Sequence, residues 1–264
     1  YNNSKISDIV SNILTLRYNP LQNSSLPELN WKDFVLNDNK ISEHIIEEKI
    51  ENYLQLNLND SIPTVSISLS GGIDSSLVLG YIRKLFPNIT IKAVSIKFSE
   101  SIDETQNAKK IAEHFGAEHD IIEVDNYLEI LPSAIGITEM PFWDNHWYFI
   151  SQFASKKSKF LASGDGGDEI FGGYVFRYEN FLSQINSNST PIEKVKAYLN
   201  CHERDWVIDQ NQIFGNKSNF SWDSIHSILL PFFDNTLNPL EQVFLADYNG
   251  KLRYNFSHVN NSIN

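Results

Sequence analysis

Two glycine-rich segments combine acidic and hydroxyl side chains in a pattern that suits phosphate and metal binding. The first, Leu69–Ser76, reads Leu-Ser-Gly-Gly-Ile-Asp-Ser-Ser, and the second, Ser163–Tyr174, places three acids among five glycines. Glycine lets main-chain N–H groups approach an anion closely, and serine hydroxyls add further donors. Together the segments predict an ATP–metal site, although either one alone is also compatible with a tight surface turn.

The first segment is predicted to join a strand to a helix. Ile62–Leu69 alternates and is β-branched, whereas Ser75–Phe86 has helical apolar spacing. The N-terminus of such a helix attracts anions, so we expect phosphates to bind here. The groups expected to form the cradle are the main chain of Gly71 and Gly72 and the hydroxyls of Ser70, Ser75 and Ser76. No lysine follows the glycines, so this is not the G-x-x-x-x-G-K-[ST] loop.

Asp74 is an acid within a segment that is predicted to bind phosphate. A carboxylate about 4 Å from a phosphate charge is repelled by roughly 4 kcal/mol at an effective dielectric near 20. A divalent cation between the two reverses the sign of that interaction. We therefore interpret Asp74 as a Mg²⁺ ligand, with Asp168 of the second segment as the other ligand, so that both segments are expected to meet around one triphosphate. The alternative is that Asp74 only caps the helix.

The two segments resemble the motifs of the PP-loop ATP pyrophosphatases, and the second resembles that of the synthetase domain of asparagine synthetases and their β-lactam synthetase relatives. Further similar segments are Ala93–Phe98, Ile111–His119 and Met140–Asp144, so the resemblance covers about residues 62–174. It implies an α/β fold, with a parallel-sheet core like that of the adenine nucleotide alpha hydrolases.

The resemblance also implies roles for individual residues. Those expected to bind ATP are Leu69, Ser70, Gly71, Gly72, Asp74, Ser75, Ser76, Ile96, Ser163 and Gly164. Asp74 and Asp168 are expected to bind Mg²⁺. Asp165 occupies a position where the family has Glu or Asp near the substrate. Asp165 or Glu169 is the candidate acceptor of a proton from the incoming amine, although Glu169 is also placed to cap a short helix.

The implied reaction is ATP-dependent amide synthesis. A carboxylate, aspartate being the most economical choice, is adenylylated with release of pyrophosphate, and ammonia then attacks to give asparagine. The chain has no glutaminase domain with an N-terminal cysteine, so ammonia is expected to come free or from a separate glutaminase partner. The alternatives are a non-catalytic nucleotide-binding relative or regulatory subunit and a PP-loop ligase for another carboxylic acid. No lysine is assigned to the pyrophosphate-stabilising role that the family places in its C-terminal region.

Composition narrows the classes of partner. The formal net charge is −12 and the basic residues form no dense cluster, which argues against a nucleic-acid partner. No run of about 18 apolar residues and no signal peptide is present, so we expect no membrane partner and a cytoplasmic protein. With Cys201 as its single cysteine, the sequence allows no intrachain disulfide.

The order of elements predicts the same fold class. Strands are expected near 62–69, 90–97, 119–124 and 158–163, and helices near 42–56, 75–86, 103–115 and 145–157. This alternation is typical of a parallel sheet that binds ligands at the carboxyl ends of its strands. The predicted domains are a lead-in, 1–40, packed on the core; a PP-loop core, 41–175; and a helical subdomain, 176–264, whose truncation is left open.

Overall fold

The structure is a computed structural model that describes residues 3–24, 26–34, 43–99, 103–139, 145–202, 213–214 and 220–254. These residues form two compact units. The sheet unit contains the described residues between 43 and 165, and the helical unit contains those up to 34 and from 166 to 254. The Met140–Asp144 segment of the family resemblance lies outside the described residues.

The sheet unit contains a four-stranded parallel sheet. Its strands are β1 (Thr64–Ser68), β2 (Thr90–Phe98), β3 (Glu118–Val124) and β4 (Leu161–Ala162). Their order is β3-β2-β1-β4, and every pair is parallel. The chain runs outward from β1 to β3 and then returns to the other side of β1. The order therefore reverses between β1 and β4, which is where open α/β sheets bind ligands. The predicted α/β fold is confirmed.

Helices in the described residues belong to one unit or the other. They are α1 (Asn3–Leu16), α2 (Glu43–Asn57), α3 (Ile73–Leu85), α4 (Thr105–His114), α5 (Tyr127–Thr138), α6 (His146–Ser155), α7 (Gly167–Phe171), α8 (Val175–Ser183), α9 (Pro191–Asn200), α10 (Trp222–Phe233) and α11 (Pro239–Asp247). A 3₁₀ turn spans Trp31–Phe34, and a π-helical turn spans Tyr248–Leu252. No helix in the described ranges is long and apolar enough to cross a bilayer.

Helices cover both faces of the sheet because the side chains of each strand point alternately to one face and the other. Val65 and Ile67 of β1 pack in one apolar cluster with Leu79 of α3. Val94 of β2 packs in a second cluster with Trp147 of α6. Side chains on a strand point to opposite faces in turn, so both clusters can form on the same sheet. Two features differ from the predictions: α5 was not expected, and β4 pairs over Leu161–Ala162, less than the predicted 158–163.

The helical unit has its own apolar core and includes the start of the chain. Leu16 and Tyr18 are buried in a cluster with Phe181, Tyr198 and Leu229. The sequence instead predicted that residues 1–40 pack on the PP-loop core. The described part of that segment groups with the helical unit because its buried side chains contact α8, α9 and α10.

The boundary between the units also differs from the predicted one. It falls between Asp165 and Gly166, inside the second glycine-rich segment, and not after residue 175. Helix α11 was not predicted either, although its start carries a clear signal. Asn238 and Glu241 form a reciprocal capping box around Pro239.

Candidate functional site

The phosphate loop, which we define as Leu69–Gly72, connects the carboxyl end of β1 to α3. Gly71 has a φ of +83°, in the region that favours glycine. A Cβ built on Gly71 would also lie 3.1 Å from the Ala108 nitrogen and 3.3 Å from the Glu104 oxygen. The turn therefore fits tightly against the start of α4, and a side chain at position 71 would be both strained and crowded.

Serine hydroxyls close the phosphate loop onto the first turn of α3. The Ser70 N–H donates to Ser75 Oγ at 3.3 Å, and the Gly72 N–H donates to Ser70 Oγ at 3.2 Å. Ser76 Oγ donates to the Gly72 carbonyl at 2.6 Å. The N-cap of α3 is Gly72, which has no side chain to cap the helix. A helix that begins this way, with hydroxyls beside its first N–H groups, can bind an anion such as phosphate.

Asp74 lies in the first turn of α3, two residues after the N-cap, and is partly buried. The N-cap itself is Gly72, so Asp74 does not occupy the capping position considered from the sequence. A carboxylate in the first helical turn is favoured by the helix dipole. Its oxygens are also the ligands that Mg²⁺ prefers.

Gly164 brings the second segment against the first within the sheet unit. A Cβ on Gly164 would lie 2.4 Å from the Ser75 nitrogen and 2.8 Å from Asp74 Cβ. Real Cβ atoms do not approach a backbone atom that closely, so only glycine fits here. The segment that follows β4 therefore contacts the start of α3 through its main chain, and Asp165 is exposed just after this contact.

Leu69 is held by two residues that the sequence did not single out for the site. The Leu69 N–H donates to the Val94 carbonyl at 2.9 Å, and Ser95 Oγ donates to the Leu69 carbonyl at 2.5 Å. His119 Nε2 lies 2.7 Å from the same hydroxyl, and burial lowers the pKa of this histidine. A neutral imidazole with its proton on Nε2 would donate to Ser95. Ile96 packs in the cluster on the other face of the sheet.

The second glycine-rich segment, Ser163–Tyr174, is the acidic segment, and its residues from Gly166 onward belong to the helical unit. The Asp168 carbonyl accepts hydrogen bonds from the N–H groups of Gly172 and Gly173, both at 3.0 Å, which ends the short helix α7. A Cβ on Gly173 would lie 1.7 Å from Asp168 Oδ1. Glycine at position 173 is therefore what leaves room for the Asp168 carboxylate in its present orientation.

Glu169 is buried in α7 and has two close partners. Tyr174 Oη donates to Glu169 Oε1 at 2.8 Å, and Lys251 Nζ lies 3.0 Å from the same oxygen. Burial acts to raise the pKa of Glu169, but the charge of Lys251 and the hydrogen bonds from Tyr174 and Lys251 outweigh it and lower the pKa. Burial and the charge of Glu169 raise the pKa of Tyr174, which therefore remains a hydrogen-bond donor. Sequence reasoning missed Lys251, because its partner lies 82 residues earlier in the chain (251 − 169).

Most of the predicted site residues lie in the sheet unit. Those residues are Leu69, Ser70, Gly71, Gly72, Asp74, Ser75, Ser76, Ile96, Ser163, Gly164 and Asp165, whereas Asp168 and Glu169 lie in the helical unit. Within the described ranges, no group of three or more His, Cys, Asp or Glu side chains could hold a metal by itself. Taken singly, the carboxylates of Asp74 and Asp168 are still of the kind that Mg²⁺ takes, since it is commonly bound through one or two carboxylates together with substrate phosphates.

Comparison with known proteins identifies the family. The family model described as asparagine synthase matches residues 47–232. The chain belongs to the asparagine synthase family. This confirms the resemblance to that family found in the two glycine-rich segments.

Two relatives show how far the similarity to the asparagine synthase family extends. A Methanocaldococcus jannaschii protein named "Putative asparagine synthetase, glutamine-hydrolyzing, 2" is 32% identical over 46% of this chain and 24% of its own length. The glutamine-hydrolyzing asparagine synthetase 1 of Bacillus subtilis is 28% identical over 64% of this chain and 27% of its own length. The matched part therefore spans about a quarter of each relative.

Solved structures give a more distant match. The ammonia-dependent NAD synthetase of Campylobacter jejuni has a TM-score of 0.36 and 17% identity, covering 62% of this chain and 86% of that structure.

Proposed function

We propose that this chain carries the synthetase chemistry of its family. It binds ATP and adenylylates a carboxylic acid, with aspartate as the favoured substrate, releasing pyrophosphate. Ammonia then attacks the activated carbonyl to give the amide, asparagine in the favoured case. A free carboxylate resists attack by ammonia, and adenylate is a good leaving group, so activation by ATP is the step that such a site has to perform.

The observation that supports this proposal most directly is the approach of Gly164 to the start of α3. A Cβ would overlap the Ser75 nitrogen at 2.4 Å, so the two motifs are fitted to each other through backbone that only glycine allows. Both follow strands at the point where the strand order reverses. A protein that used these turns only as surface connections would not need such a close fit.

The phosphate loop is proposed to bind the pyrophosphate that leaves. Its N–H groups and the hydroxyls of Ser70, Ser75 and Ser76, which bond within the loop in this structure, are proposed to donate to phosphate oxygens, which gain negative charge in the transition state. Leu69, Ile96 and Gly164 are proposed to frame the adenosine, Ser163 to contact the nucleotide, and Asp74 and Asp168 to bind magnesium. A bound Mg²⁺ would supply charge stabilisation to the departing pyrophosphate.

The pairing of Glu169 with Lys251 bears on which acid accepts a proton from the amine. Glu169 is buried and already bonded to Lys251 and Tyr174, and its lowered pKa makes it a weaker base. Asp165 is exposed and follows the glycine that contacts the phosphate loop. We therefore assign the proton-accepting role to Asp165 in preference to Glu169.

The ammonia source is also part of the proposal. The relatives named above are described as glutamine-hydrolyzing. We propose that ammonia is taken up free or delivered by a separate glutaminase partner, in the cytoplasm. The other partners are small molecules, with no role proposed for nucleic acid or a membrane.

Exchange of labelled pyrophosphate into ATP tests the proposed reaction across a panel of carboxylic acids. Exchange that depends on aspartate is the expected result. Dependence on another acid would assign the chain as a PP-loop ligase for that acid. Nucleotide binding without exchange for any acid would contradict the proposal and favour the non-catalytic relative.

Replacing Asp168 tests the metal assignment. We expect Asp168→Asn to lower magnesium-dependent exchange by about 100-fold or more, because loss of one charge-stabilising group typically costs about 2.7–4 kcal/mol in the transition state. Asp223→Asn is the matched control, since Asp223 is an exposed acid in the first turn of α10 in the same unit. The control should retain exchange within about twofold, as expected of a surface substitution. Full exchange in Asp168→Asn would refute the metal assignment.

A further inference from the structure

Lys251 is presented to the acidic segment by a firmly held turn. It lies in the π-helical turn Tyr248–Leu252, a conformation that is rare and often occurs at functional sites. Asn249 exchanges two hydrogen bonds with the backbone of Leu29, at 3.0 and 2.7 Å. A Cβ on Gly250 would lie 2.8 Å from the ring of Tyr18. The two residues that precede Lys251 are therefore held by Leu29 and Tyr18, and this fixes the position of the lysine backbone.

The ammonium group of Lys251 contacts Glu169, the buried residue of α7, and also Tyr174, which donates to Glu169. Its nitrogen lies 3.0 Å from Glu169 Oε1 and 3.2 Å from Tyr174 Oη, and 4.9 Å from the centre of the Tyr174 ring. The side chain of Glu169 is only 7% exposed and that of Lys251 is 24% exposed. The glutamate would therefore be a buried, uncompensated charge if the lysine were absent, and such charges are strongly destabilising.

Helix α7 is short, and only one of its side chains is buried. It contains five residues, Gly167–Phe171, and is flanked by Gly166 and Gly172, both in the left-handed region. Ile170 and Phe171 are mostly exposed, so they contribute little packing. Glu169 is the residue of α7 whose side chain is buried, and it directly follows Asp168. Whatever fixes Glu169 also fixes the direction of the neighbouring carboxylate.

From these contacts we propose that Lys251 is a positioning residue for Asp168. Its charge holds Glu169 in the interior, and Glu169 in turn holds α7 so that Asp168 presents its carboxylate to the cation. The lysine acts through Glu169 and not by contact with the nucleotide. This inference rests on the proposed role of Asp168 in magnesium binding.

The test measures cation binding without any turnover. Mn²⁺ serves as a paramagnetic probe, and its dissociation constant is measured by electron paramagnetic resonance on the full chain with a non-hydrolysable ATP analogue and no carboxylic acid. We expect Lys251→Met to raise this constant about tenfold, a change that corresponds to about 1.4 kcal/mol. Lys251→Arg keeps the charge and should bind within about threefold of wild type.

A double variant separates positioning from direct contact. In Lys251→Met with Glu169→Gln neither charge remains, and the amide can still accept from Tyr174. Removing both members of a buried pair is close to neutral, so Mn²⁺ affinity should return to within about threefold of wild type. If the double variant binds as weakly as Lys251→Met, the lysine acts on the ligand directly and the inference is overturned. Unchanged binding in Lys251→Met overturns it as well.

Gly173→Ala displaces Asp168 by an independent route. The new methyl group would occupy the place of Asp168 Oδ1, so the carboxylate has to turn away while α7 keeps its pairing with Lys251. We expect a loss of Mn²⁺ affinity similar to that of Lys251→Met, even if the latter folds poorly. If Gly173→Ala binds Mn²⁺ as wild type does, the orientation of Asp168 is unimportant and the inference is wrong.

The measurement also separates this inference from the proposed function. Wild-type protein that binds Mn²⁺ with nucleotide but catalyses no pyrophosphate exchange would contradict the proposed function. The positioning role would then still be supported or refuted by the Mn²⁺ affinities of the variants. Wild-type protein that binds no Mn²⁺ in the presence of nucleotide would overturn the inference itself.

Discussion

The two glycine-rich segments hold their functional groups by different means. The phosphate loop is organised by local contacts: Ser70, Gly72, Ser75 and Ser76 bond to one another over seven residues. The part of the acidic segment in the helical unit depends on distant partners, since Glu169 bonds to Lys251. One motif is therefore shaped by its own backbone and hydroxyls, and the other by charges supplied from elsewhere in the chain.

The difference continues into the interior of the helical unit. Arg177 and Asp247 form an ion pair at 3.2 Å with side chains 3% and 0% exposed, and Tyr198 Oη donates to the same Asp247 oxygen at 2.7 Å. The Arg177 guanidinium also lies 4.7 Å from the centre of the Tyr174 ring. Paired charges therefore extend from the acidic segment into the core, whereas the core around β1 is apolar.

His202 joins this buried group of charges as a neutral residue. Burial and the adjacent Arg177 charge lower the pKa of His202 well below its ordinary value. Its Nδ1 lies 2.7 Å from the Tyr198 carbonyl, which assigns the proton to Nδ1 and leaves Nε2 as an acceptor facing Arg177. The charges of Arg177 and Asp247 are buried as a pair, so loss of one partner should cost more here than the loss of a single hydrogen bond in the phosphate loop.

The largest expected effect is therefore on stability, in Asp247→Ala. This change leaves Arg177 buried without its carboxylate, and breaking such a pair typically costs about 3–5 kcal/mol. Urea denaturation followed by circular dichroism gives the free energy of unfolding. Tyr198→Phe is the control, because it removes one hydrogen bond, keeps the ion pair and should cost about 1–3 kcal/mol. A smaller loss in Asp247→Ala than in Tyr198→Phe would show that paired charge is not what stabilises the helical unit.

Gly164→Ala tests the sheet side of the comparison, where backbone fit and not charge is expected to matter. The added methyl group would lie 2.4 Å from the Ser75 nitrogen, so the loop or α3 has to move. Overpacking of this kind costs about 1–3 kcal/mol, which corresponds to about 5- to 150-fold weaker nucleotide binding if it falls on the bound state. Titration with a fluorescent ATP analogue measures the nucleotide dissociation constant of the variant and of wild type.

Gly136→Ala is the matched control for that variant. Gly136 lies in α5 of the same unit, it is exposed, and nothing lies within 4 Å of its added Cβ. Alanine in a helix interior should stabilise the unit by up to about 1 kcal/mol and leave nucleotide affinity unchanged. Equal affinity in Gly164→Ala and Gly136→Ala would mean that the close approach of the two motifs has no part in binding.

Local patterns in the sequence predicted the sheet and its phosphate loop well. Alternation of β-branched residues located β1, and the Gly-Gly pair before a helical pattern located the turn, because these signals depend on neighbouring residues only. Helix α5 was missed since it contains Pro132, which normally argues against a helix interior. The short β4 carries only two paired residues, too few for periodicity to define its ends.

The parts of the site that could not be predicted depend on contacts between distant residues. Lys251 follows α11 and gives no local sign of its partner, because an ion pair between Lys251 and Glu169 has no sequence spacing of its own. Ser95 and His119 lie on neighbouring parallel strands and meet only through the sheet register. The same holds for the first helix, whose association with α8–α10 follows from burial of Leu16 and not from any motif.

The smallest expected effect on stability comes from replacing a surface charge of the sheet unit, Asp103. It can be compared with replacement of the buried Asp247 in the helical unit. Asp103 accepts from the Thr105 N–H at 3.0 Å and from Thr105 Oγ1 at 2.5 Å, and it pairs with Lys97 at 2.9 Å. The hydrogen bonds from Thr105 and Lys97 lower the pKa of Asp103 to about 2. Thr105 is the first residue of α4, and Gly71 packs against the start of that helix.

A lowered carboxyl pKa stabilises the folded state above the pKa of the unfolded chain, near 4, and this contribution is lost as the pH falls to about 2. We therefore expect Asp103→Asn to melt slightly below wild type at pH 5, with the difference shrinking between pH 4 and pH 2. The effect should be modest, because an exposed pair gains little in water. Thermal melts of both proteins across this pH range measure it. A difference that stays constant down to pH 2 would show that the aspartate acts through shape and not charge, and would remove this contrast between the two units.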